Sequence, residues 1–197
     1  MNKFARIPEI PVSHYLARRP VHDTRGGVFT FSHARTGLKF GLRALGVGKG
    51  DALLVPSFIC DVLLQPLDCL GIRPVYYAVD PRLAPDWQAL PWLLDPDIKG
   101  ILMVHYFGQP QDISRFLSFC EANHLLLIED NAHGHGAEHA GKPLGSFGDL
   151  WITSPRKSFS LVNGGLLHLK NAASLRLESL PLEPAPAVKI IASTLAK

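Results

Sequence analysis

The sequence predicts an α/β domain with a mainly parallel sheet that is covered by helices on both faces. Short, wholly apolar runs alternate with segments whose apolar residues recur at helical spacing, a pattern typical of strands buried on two sides. The chain has 197 residues, of which 47% are hydrophobic and 19% charged. This size and composition suit one domain with its own core.

The elements can be assigned in chain order. Residues 1–30 mix proline and glycine with charges and are predicted to form an extended arm. The domain at 31–170 is predicted to contain, in order, a helix over 35–45, a turn over 46–50, a strand over 52–55, a helix within 59–70, strands over 75–79 and 101–104, a helix over 113–123, and strands over 125–128, 150–153 and 165–169. On the helix over 113–123, Phe116, Leu117 and Cys120 are predicted to share one buried face.

Charge, cysteines and hydropathy argue against several classes of protein. The net charge is +3 and the basic residues form no run, so no nucleic-acid partner is expected. Cys60, Cys69 and Cys120 form no C-x-x-C pair and are expected to be buried, reduced thiols. The apolar runs are far shorter than the ~20 residues that a bilayer requires, and the first residues do not resemble a signal peptide. We therefore expect a cytoplasmic protein without a membrane span.

Two acids, Glu129 and Asp130, end an apolar strand. Ligands of parallel sheets bind at the carboxyl ends of the strands, so the site is expected in the loops 105–108, 129–133 and 153–157. A partly buried carboxylate there needs a cation, which can be a side chain or the protonated nitrogen of a ligand. An acid that only caps the following turn is the alternative.

Lys157 follows the strand over 150–153, with the hydroxyl of Ser154 three residues before it. In a semi-buried, electropositive loop a lysine loses its proton more easily and becomes a nucleophile towards carbonyl carbons. A solvated surface lysine is the alternative.

Three histidines, His133, His135 and His139, stand close to Asp130 and Glu138. These residue types could bind zinc or iron in a metal-dependent hydrolase, but their spacing matches no known metal motif. The favoured interpretation is that one histidine contacts a ligand and no metal is bound. The glycine-rich segment 46–50 follows a helix and precedes a strand, so it is interpreted as a turn rather than a phosphate loop.

Taken together, residues 42–58, 104–110 and 128–149 resemble the DegT/DnrJ/EryC1/StrS-type sugar aminotransferases, pyridoxal-phosphate enzymes of fold type I. The resemblance implies a three-layer α/β/α sandwich with a mainly parallel mixed sheet. Residues 31–170 would be its cofactor-binding large domain. Residues 171–197 would begin a linker helix towards a small C-terminal domain that is absent here.

The resemblance also implies roles for three residues near the cofactor ring. Lys157 would bind pyridoxal phosphate covalently and shuttle the proton between substrate and cofactor. Asp130 would pair with the pyridinium nitrogen. His133 would lie near the phenolic oxygen.

Further positions would contact the phosphate and the ring. Ser154, or its neighbour Thr153, would bind the phosphate, and Ala34 and Arg35 would begin the helix whose N–H groups hold it. Cys60 stands where the family often has an aromatic residue over the ring.

The implied activity is transfer of an amino group, with glutamate as the expected donor, to a keto-sugar nucleotide in amino-sugar or surface-polysaccharide biosynthesis. A homodimer is expected, and a separately encoded C-terminal half is a further possible partner. The alternative is a truncated, catalytically silent module that binds pyridoxal phosphate or another protein. Dehydratases of the family have histidine in place of the Schiff-base lysine, so Lys157 argues against that reaction.

Overall fold

The computed structural model describes residues 27–159 and 161–172, which form a seven-stranded sheet and a small hairpin. The strands of the sheet are β1 (Val28–Phe31), β2 (Ala52–Pro56), β3 (Arg73–Tyr77), β4 (Ile98–Val104), β5 (Leu126–Asn131), β8 (Leu150–Thr153) and β9 (Gly165–Leu169). The hairpin consists of β6 (Glu138–His139) and β7 (Lys142–Pro143). The helices are α1 (Ala34–Ala44), α2 (Gln65–Leu70), α3 (Ile113–Asn123) and α4 (Pro155–Ser158), and 3-10 turns cover Asp61–Leu63, Leu90–Leu93 and Tyr106–Gly108.

The sheet is mixed and mainly parallel, as predicted. Its strand order is β1-β9-β8-β5-β4-β2-β3. The five strands β8, β5, β4, β2 and β3 are parallel to one another. Strand β9 is antiparallel to β8, and β1 is antiparallel to β9. The carboxyl ends of the parallel strands therefore meet at one edge of the sheet, where the loops that follow them come together.

Apolar side chains cover both faces of the sheet. On one face α1 and α2 pack through a cluster that includes Leu38, Leu42, Leu67, Val55 and Ile152. On the other face α3 packs through a cluster that includes Phe116, Ile101, Met103, Leu127 and Leu90. Each fully buried side chain of this size contributes about 1.5–3 kcal/mol of transfer free energy.

Helix α3 has the predicted bounds. Its N-cap Asp112 accepts a hydrogen bond from the Arg115 N–H at 3.1 Å, and the chain leaves the helix through His124 in a left-handed conformation. The buried face differs in one residue: Ile113 faces the core, whereas Leu117 is 38% exposed. The prediction that Leu117 shares the buried face was wrong: at i+4 from Ile113 it lies at the margin of the apolar stripe, whose centre is filled by Ile113, Phe116 and Cys120.

The N-terminal boundary of the domain also differs from the prediction. Val28–Phe31 forms β1 at one margin of the sheet and pairs with β9, so the extended arm does not reach residue 30. The partner strand lies far away in sequence, and no local pattern indicated the pairing. The predictions for residues 1–26 and 173–197 lie outside the described residues.

Two strands are shifted relative to the prediction. Strand β5 continues to Asn131, so Glu129 and Asp130 lie inside it rather than after its end. Strand β3 covers 73–77 instead of 75–79 and contains Pro74, which is tolerated because β3 is an edge strand. The helix expected within 59–70 is a 3-10 turn followed by α2.

The three cysteines are free, but only Cys120 is buried. The expectation of buried thiols was wrong for Cys60 and Cys69, which lie exposed beside and within the short helical segments after β2. Within the described part of the chain, no helix is long and apolar enough to cross a membrane.

Candidate active site

Asp130 is a buried carboxylate near the carboxyl end of β5. Its side chain is 8% exposed, and Oδ1 accepts a hydrogen bond from the Ala132 N–H at 2.9 Å. Burial raises the pKa of Asp130, although the Ala132 N–H and the positive charges of Lys157, His133 and His105 oppose this effect. The ion pairs within the described part of the chain do not include Asp130. A buried carboxylate in this state suits a ligand that brings a protonated nitrogen.

Glu129, the preceding residue, has a different environment. Its Oε2 lies 2.9 Å from Nε2 of His105, and both side chains are wholly buried. Its Oε1 accepts hydrogen bonds from the backbone N–H groups of Phe147, at 2.7 Å, and Gly148. The side-chain partner expected for one of the two acids is therefore His105, and it contacts Glu129 rather than Asp130.

Lys157 lies on α4, the short helix that follows β8. Its backbone N–H donates to Ser154 O at 2.9 Å, and its side chain is exposed. The expected semi-buried loop was wrong: this lysine projects from a four-residue helix whose described residues are mostly solvent-accessible. Its charge nevertheless acts on both Asp130 and His133, so the three side chains lie within electrostatic reach of one another.

His133 lies in the loop after β5, and its ring is parallel to that of Phe107. The ring centroids are 6.1 Å apart and the interplanar angle is 6°. Burial and the charge of Lys157 lower the pKa of His133, while the charge of Asp130 raises it. The imidazole is thus kept towards its neutral form, in which one ring nitrogen can accept a hydrogen bond and the other can donate one.

The start of α1 approaches the same edge of the sheet. Ala34 is the first helical residue, and the N–H groups of Thr36 and Gly37 donate to His33 O at 3.1 and 3.3 Å. The earlier N–H groups of a helix have no acceptor inside it, so those of Ala34 and Arg35 are directed out of the helix end. Such an end, with a guanidinium beside it, suits an anion.

A glycine pair joins this helix end to Ser154. A Cβ at Gly165 would overlap the backbone of His33 and Ala34 far inside van der Waals contact, so only glycine lets β9 pass this close. The preceding Gly164 accepts a hydrogen bond from Ser154 Oγ at 3.4 Å. Ser154 is 2% exposed and lies at the N-cap of α4. Its hydroxyl and the start of α1 are therefore neighbours through residues 164 and 165.

Thr153 differs from Ser154 in its partner. The Thr153 Oγ1 lies 3.3 Å from Nδ1 of His135, and Thr153 pairs in register with Asn131 rather than with Asp130. Successive residues of a strand point to opposite faces. The side chain of Thr153 therefore points to the face of β5 that does not carry the Asp130 carboxylate.

The aromatic residue that the structure brings near Asp130 is Tyr106. Burial and the Asp130 charge raise the pKa of Tyr106 to about 12, and its hydroxyl donates to Phe58 O at 2.6 Å. Cys60 is exposed and lies two residues beyond Phe58, whose ring is tilted against that of Tyr106 at 5.8 Å. Sequence reasoning placed residues 105–108 in the site region but assigned no role to Tyr106; its position directly after β4 was the available signal.

The histidines considered as metal ligands point to different partners. His133 faces Phe107, His135 contacts Thr153 and the ring of Phe159, and His139 packs edge-on against Phe147. In the described ranges, no three histidine, cysteine or acidic side chains are grouped so that they could hold a metal ion.

Comparisons with known proteins show the family of the chain. Residues 24–177 match the DegT/DnrJ/EryC1/StrS aminotransferase family. The chain belongs to this family. It is 34% identical over 152 residues to GDP-perosamine synthase of Caulobacter vibrioides, a match that covers 74% of the chain and 41% of the relative. It is 32% identical over 130 residues to dTDP-4-dehydro-2,3,6-trideoxy-D-glucose 4-aminotransferase of Saccharopolyspora spinosa, covering 64% and 34% of the two proteins.

Solved structures share the fold. The aminotransferase TlmJ of Streptoalloteichus hindustanus superposes with a TM-score of 0.68 at 29% identity, over 75% of this chain and 41% of that one. The protein NtdA of Bacillus subtilis, solved with bound cofactor PMP, superposes with a TM-score of 0.67 at 26% identity, over 81% and 35%. The predicted α/β fold is thereby confirmed. The chain matches between 34% and 41% of the length of these two curated relatives.

Proposed function

We propose that this chain is the cofactor-binding part of a pyridoxal-phosphate-dependent aminotransferase that aminates a keto-sugar nucleotide in amino-sugar or surface-polysaccharide biosynthesis. The observation that carries the proposal is that Asp130, at the carboxyl end of β5, lies within electrostatic reach of Lys157, on the helix after the neighbouring β8, and of His133, in the loop after β5. Family membership and two relatives whose names include GDP-perosamine synthase and a dTDP-sugar 4-aminotransferase support it.

The residues present fit pyridoxal phosphate. Asp130 is buried without an ion pair among the described residues, which suits the protonated ring nitrogen. The start of α1 with Arg35, together with the Ser154 hydroxyl, suits the phosphate. Ser154 is favoured over Thr153 as the phosphate ligand, because its Oγ is hydrogen-bonded to Gly164 O, next to the start of α1. When bound, the cofactor supplies an electron sink for charge that develops at the substrate carbon.

The chain's own side chains then have distinct tasks. The Lys157 amine would hold the cofactor covalently, and its Nζ would hold and move the proton at the substrate carbon. The Asp130 carboxylate would keep a proton on the ring nitrogen of the cofactor. His133 would donate a hydrogen bond to the ring oxygen or accept one from it. The exposed position of Lys157 leaves its amine accessible to an entering substrate.

The donor, the partner and the location are further parts of the proposal. We propose glutamate as the amino donor and a homodimer as the assembly. The exposed rings of Phe58, Phe107 and Phe159 lie around the site and form the kind of apolar surface that a second subunit covers. A separately encoded C-terminal half is the alternative partner. Two exposed free thiols, Cys60 and Cys69, suit a reducing cytoplasm.

The test is the absorption spectrum of the purified chain with pyridoxal phosphate, before and after borohydride. We expect a visible band that borohydride fixes at Lys157. The band should be missing in Lys157→Ala and present in Lys142→Ala, a control lysine on the exposed hairpin strand β7. A folded chain without the band contradicts the proposal. Binding without turnover of keto-sugar nucleotides and glutamate would favour the catalytically silent module.

A further inference from the structure

Beneath the proposed site lies a buried polar pair that the chemistry above does not use. His105 and Glu129 are 1% and 0% exposed, and their Nε2 and Oε2 atoms lie 2.9 Å apart. Burying two such groups is costly unless every polar atom has a partner. The partners of this pair therefore indicate what it holds in place.

Those partners fix the position of the imidazole proton. The backbone N–H of Gln111 donates to Nδ1 of His105 at 3.3 Å, so Nδ1 acts as the acceptor. The proton then resides on Nε2 and is donated to Glu129 Oε2. On the other side of the pair, Glu129 Oε1 accepts the N–H groups of Phe147 and Gly148, which lead into β8. One glutamate thus connects β5, the exit of β4 and the entry to β8.

The segment from His105 to Gln111 carries two rings of the site. Tyr106 lies within reach of the Asp130 charge. Phe107 has φ 56°, a left-handed conformation that a bulky residue rarely adopts, and its ring is parallel to that of His133. A strained residue persists only where its surroundings hold it. His105, at the start of this segment, is held by Glu129, and Gln111, at its end, is held by His105.

We propose that Glu129 and His105 are positioning residues: their hydrogen bonds hold the segment 105–111 so that Phe107 covers His133. The consequence of this positioning for catalysis rests on the proposed function. The positioning of Phe107 itself can be tested in the chain without cofactor. Neither residue touches the reacting atoms in this account. Their effect passes through Phe107 and His133.

Glu129→Gln is the sharpest variant, because a glutamine can keep Oε1 on the two backbone N–H groups while its NH2 group faces His105. With its proton on Nε2, His105 then meets a donor instead of an acceptor. Shifting the proton to Nδ1 restores that contact but sets Nδ1–H against the Gln111 N–H. One of the two anchors of the segment is lost in either tautomer.

The readout is the NMR titration of the His133 imidazole in the full chain. The Phe107 ring lies parallel to the His133 ring and is expected to contribute to the burial that lowers the pKa of His133, so releasing the segment should shift the titration midpoint upwards. Phe107→Ala, which removes a ring that is 72% exposed and leaves the buried pair intact, should cause the same upward shift. Tyr77→Phe is the matched control. It removes a buried 2.7 Å hydrogen bond to Leu102 O, in the same sheet but outside the segment, and should leave the midpoint unchanged.

The outcomes separate positioning from simple stabilisation. An upward shift in Glu129→Gln and Phe107→Ala, but not in Tyr77→Phe, supports the proposal. An unchanged midpoint in folded Glu129→Gln, or equal shifts in Glu129→Gln and Tyr77→Phe, overturns it. If Glu129→Gln does not fold, His105→Gln takes its place, since its amide can donate to Glu129 and loses only the Gln111 contact. Failure of pyridoxal phosphate to bind would contradict the proposed function and leave this result intact.

Discussion

Glu129 and Asp130 are adjacent in β5, yet only Glu129 has its charge satisfied within the described residues. Glu129 contacts His105 and two backbone N–H groups, whereas Asp130 accepts one N–H from Ala132. Consecutive strand residues point to opposite faces. The same strand therefore supplies one carboxylate, Glu129, to the scaffold and a second carboxylate, Asp130, to the site. The unpaired carboxylate has a cost in the chain without cofactor, and this cost can be measured.

Asp130→Asn should raise the free energy of unfolding of the cofactor-free chain at pH 7 by about 1 kcal/mol. The raised pKa of Asp130 means that the folded chain binds more protons than the unfolded chain just above the ordinary carboxyl pKa. Stability is therefore lost as pH rises through the folded pKa, and the asparagine removes this loss. Urea unfolding at several pH values measures it.

Asp112→Asn is the matched control for that change. Asp112 caps α3 from an exposed position, and asparagine caps helices about as well as aspartate. It should leave stability unchanged. The assigned role of Asp130 is contradicted if Asp130→Asn destabilises the chain or leaves binding of pyridoxal phosphate as strong as before.

Ser154→Ala should weaken binding of pyridoxal phosphate by roughly 10- to 150-fold, because a hydrogen bond to a charged phosphate contributes about 1.5–3 kcal/mol. Thr153→Val, which removes the neighbouring hydroxyl but keeps the side-chain shape, should change the affinity little. Equilibrium titration of the visible band measures both. A larger loss of affinity in Thr153→Val than in Ser154→Ala would indicate that Thr153, and not Ser154, binds the phosphate.

Gly165→Ala should destabilise the chain by about 3 kcal/mol or more, because its Cβ would overlap backbone atoms of His33 and Ala34 that cannot move independently. Gly48→Ala is the control, since a Cβ there meets nothing within 4 Å. Chemical denaturation compares the two. A Gly165→Ala chain as stable as Gly48→Ala would show that β9 and α1 are not in close contact.

His168→Phe should reduce the loss of stability between pH 6.5 and pH 4. Burial and the charge of His135 lower the pKa of His168 to about 4, so the unfolded chain binds the extra proton first in this interval and folding weakens as pH falls. The lowered pKa of His168 accounts for at most about 3 kcal/mol of this loss of stability. The actual loss should be smaller, because the ring is partly exposed and solvent screens its charge.

Phenylalanine keeps a ring on Trp151, which lies parallel to His168 at 4.9 Å. Stability at pH 7 should therefore change little. Urea unfolding of both chains at pH 7 and pH 5 gives the comparison. Equal stability losses in the two chains would contradict the assignment.

Local patterns sufficed to predict some elements. Helix α3 has its predicted ends because Asp112 and His124 carry cap geometries within the segment itself, and β8 and β9 also have their predicted bounds. Strand β1 was missed because its only partner is β9, at the other end of the described chain. Register across long sequence separations is not encoded locally.

The candidate site shows the same division. The sequence indicated Asp130, His133 and Lys157 as a group, and the structure brings them together, although their roles stay predictions. It could not decide which acid would find a side-chain partner, because the partner of Glu129 lies 24 residues earlier and depends on strand pairing. The contact of Phe107 with His133 likewise depends on a left-handed residue that sequence alone does not reveal.

The pairing of β1 with β9 also affects the order in which parts of the domain fold. During synthesis, the first described strand cannot find its partner until the last has left the ribosome, and closing so long a loop is slow. The start of α1 rests against Gly165, so Ala34 and Arg35 reach their final positions only at that moment. The phosphate end of the proposed site is therefore expected to form last, and a nascent chain that stops before β9 would have most of the sheet but would lack the contact that positions the start of α1.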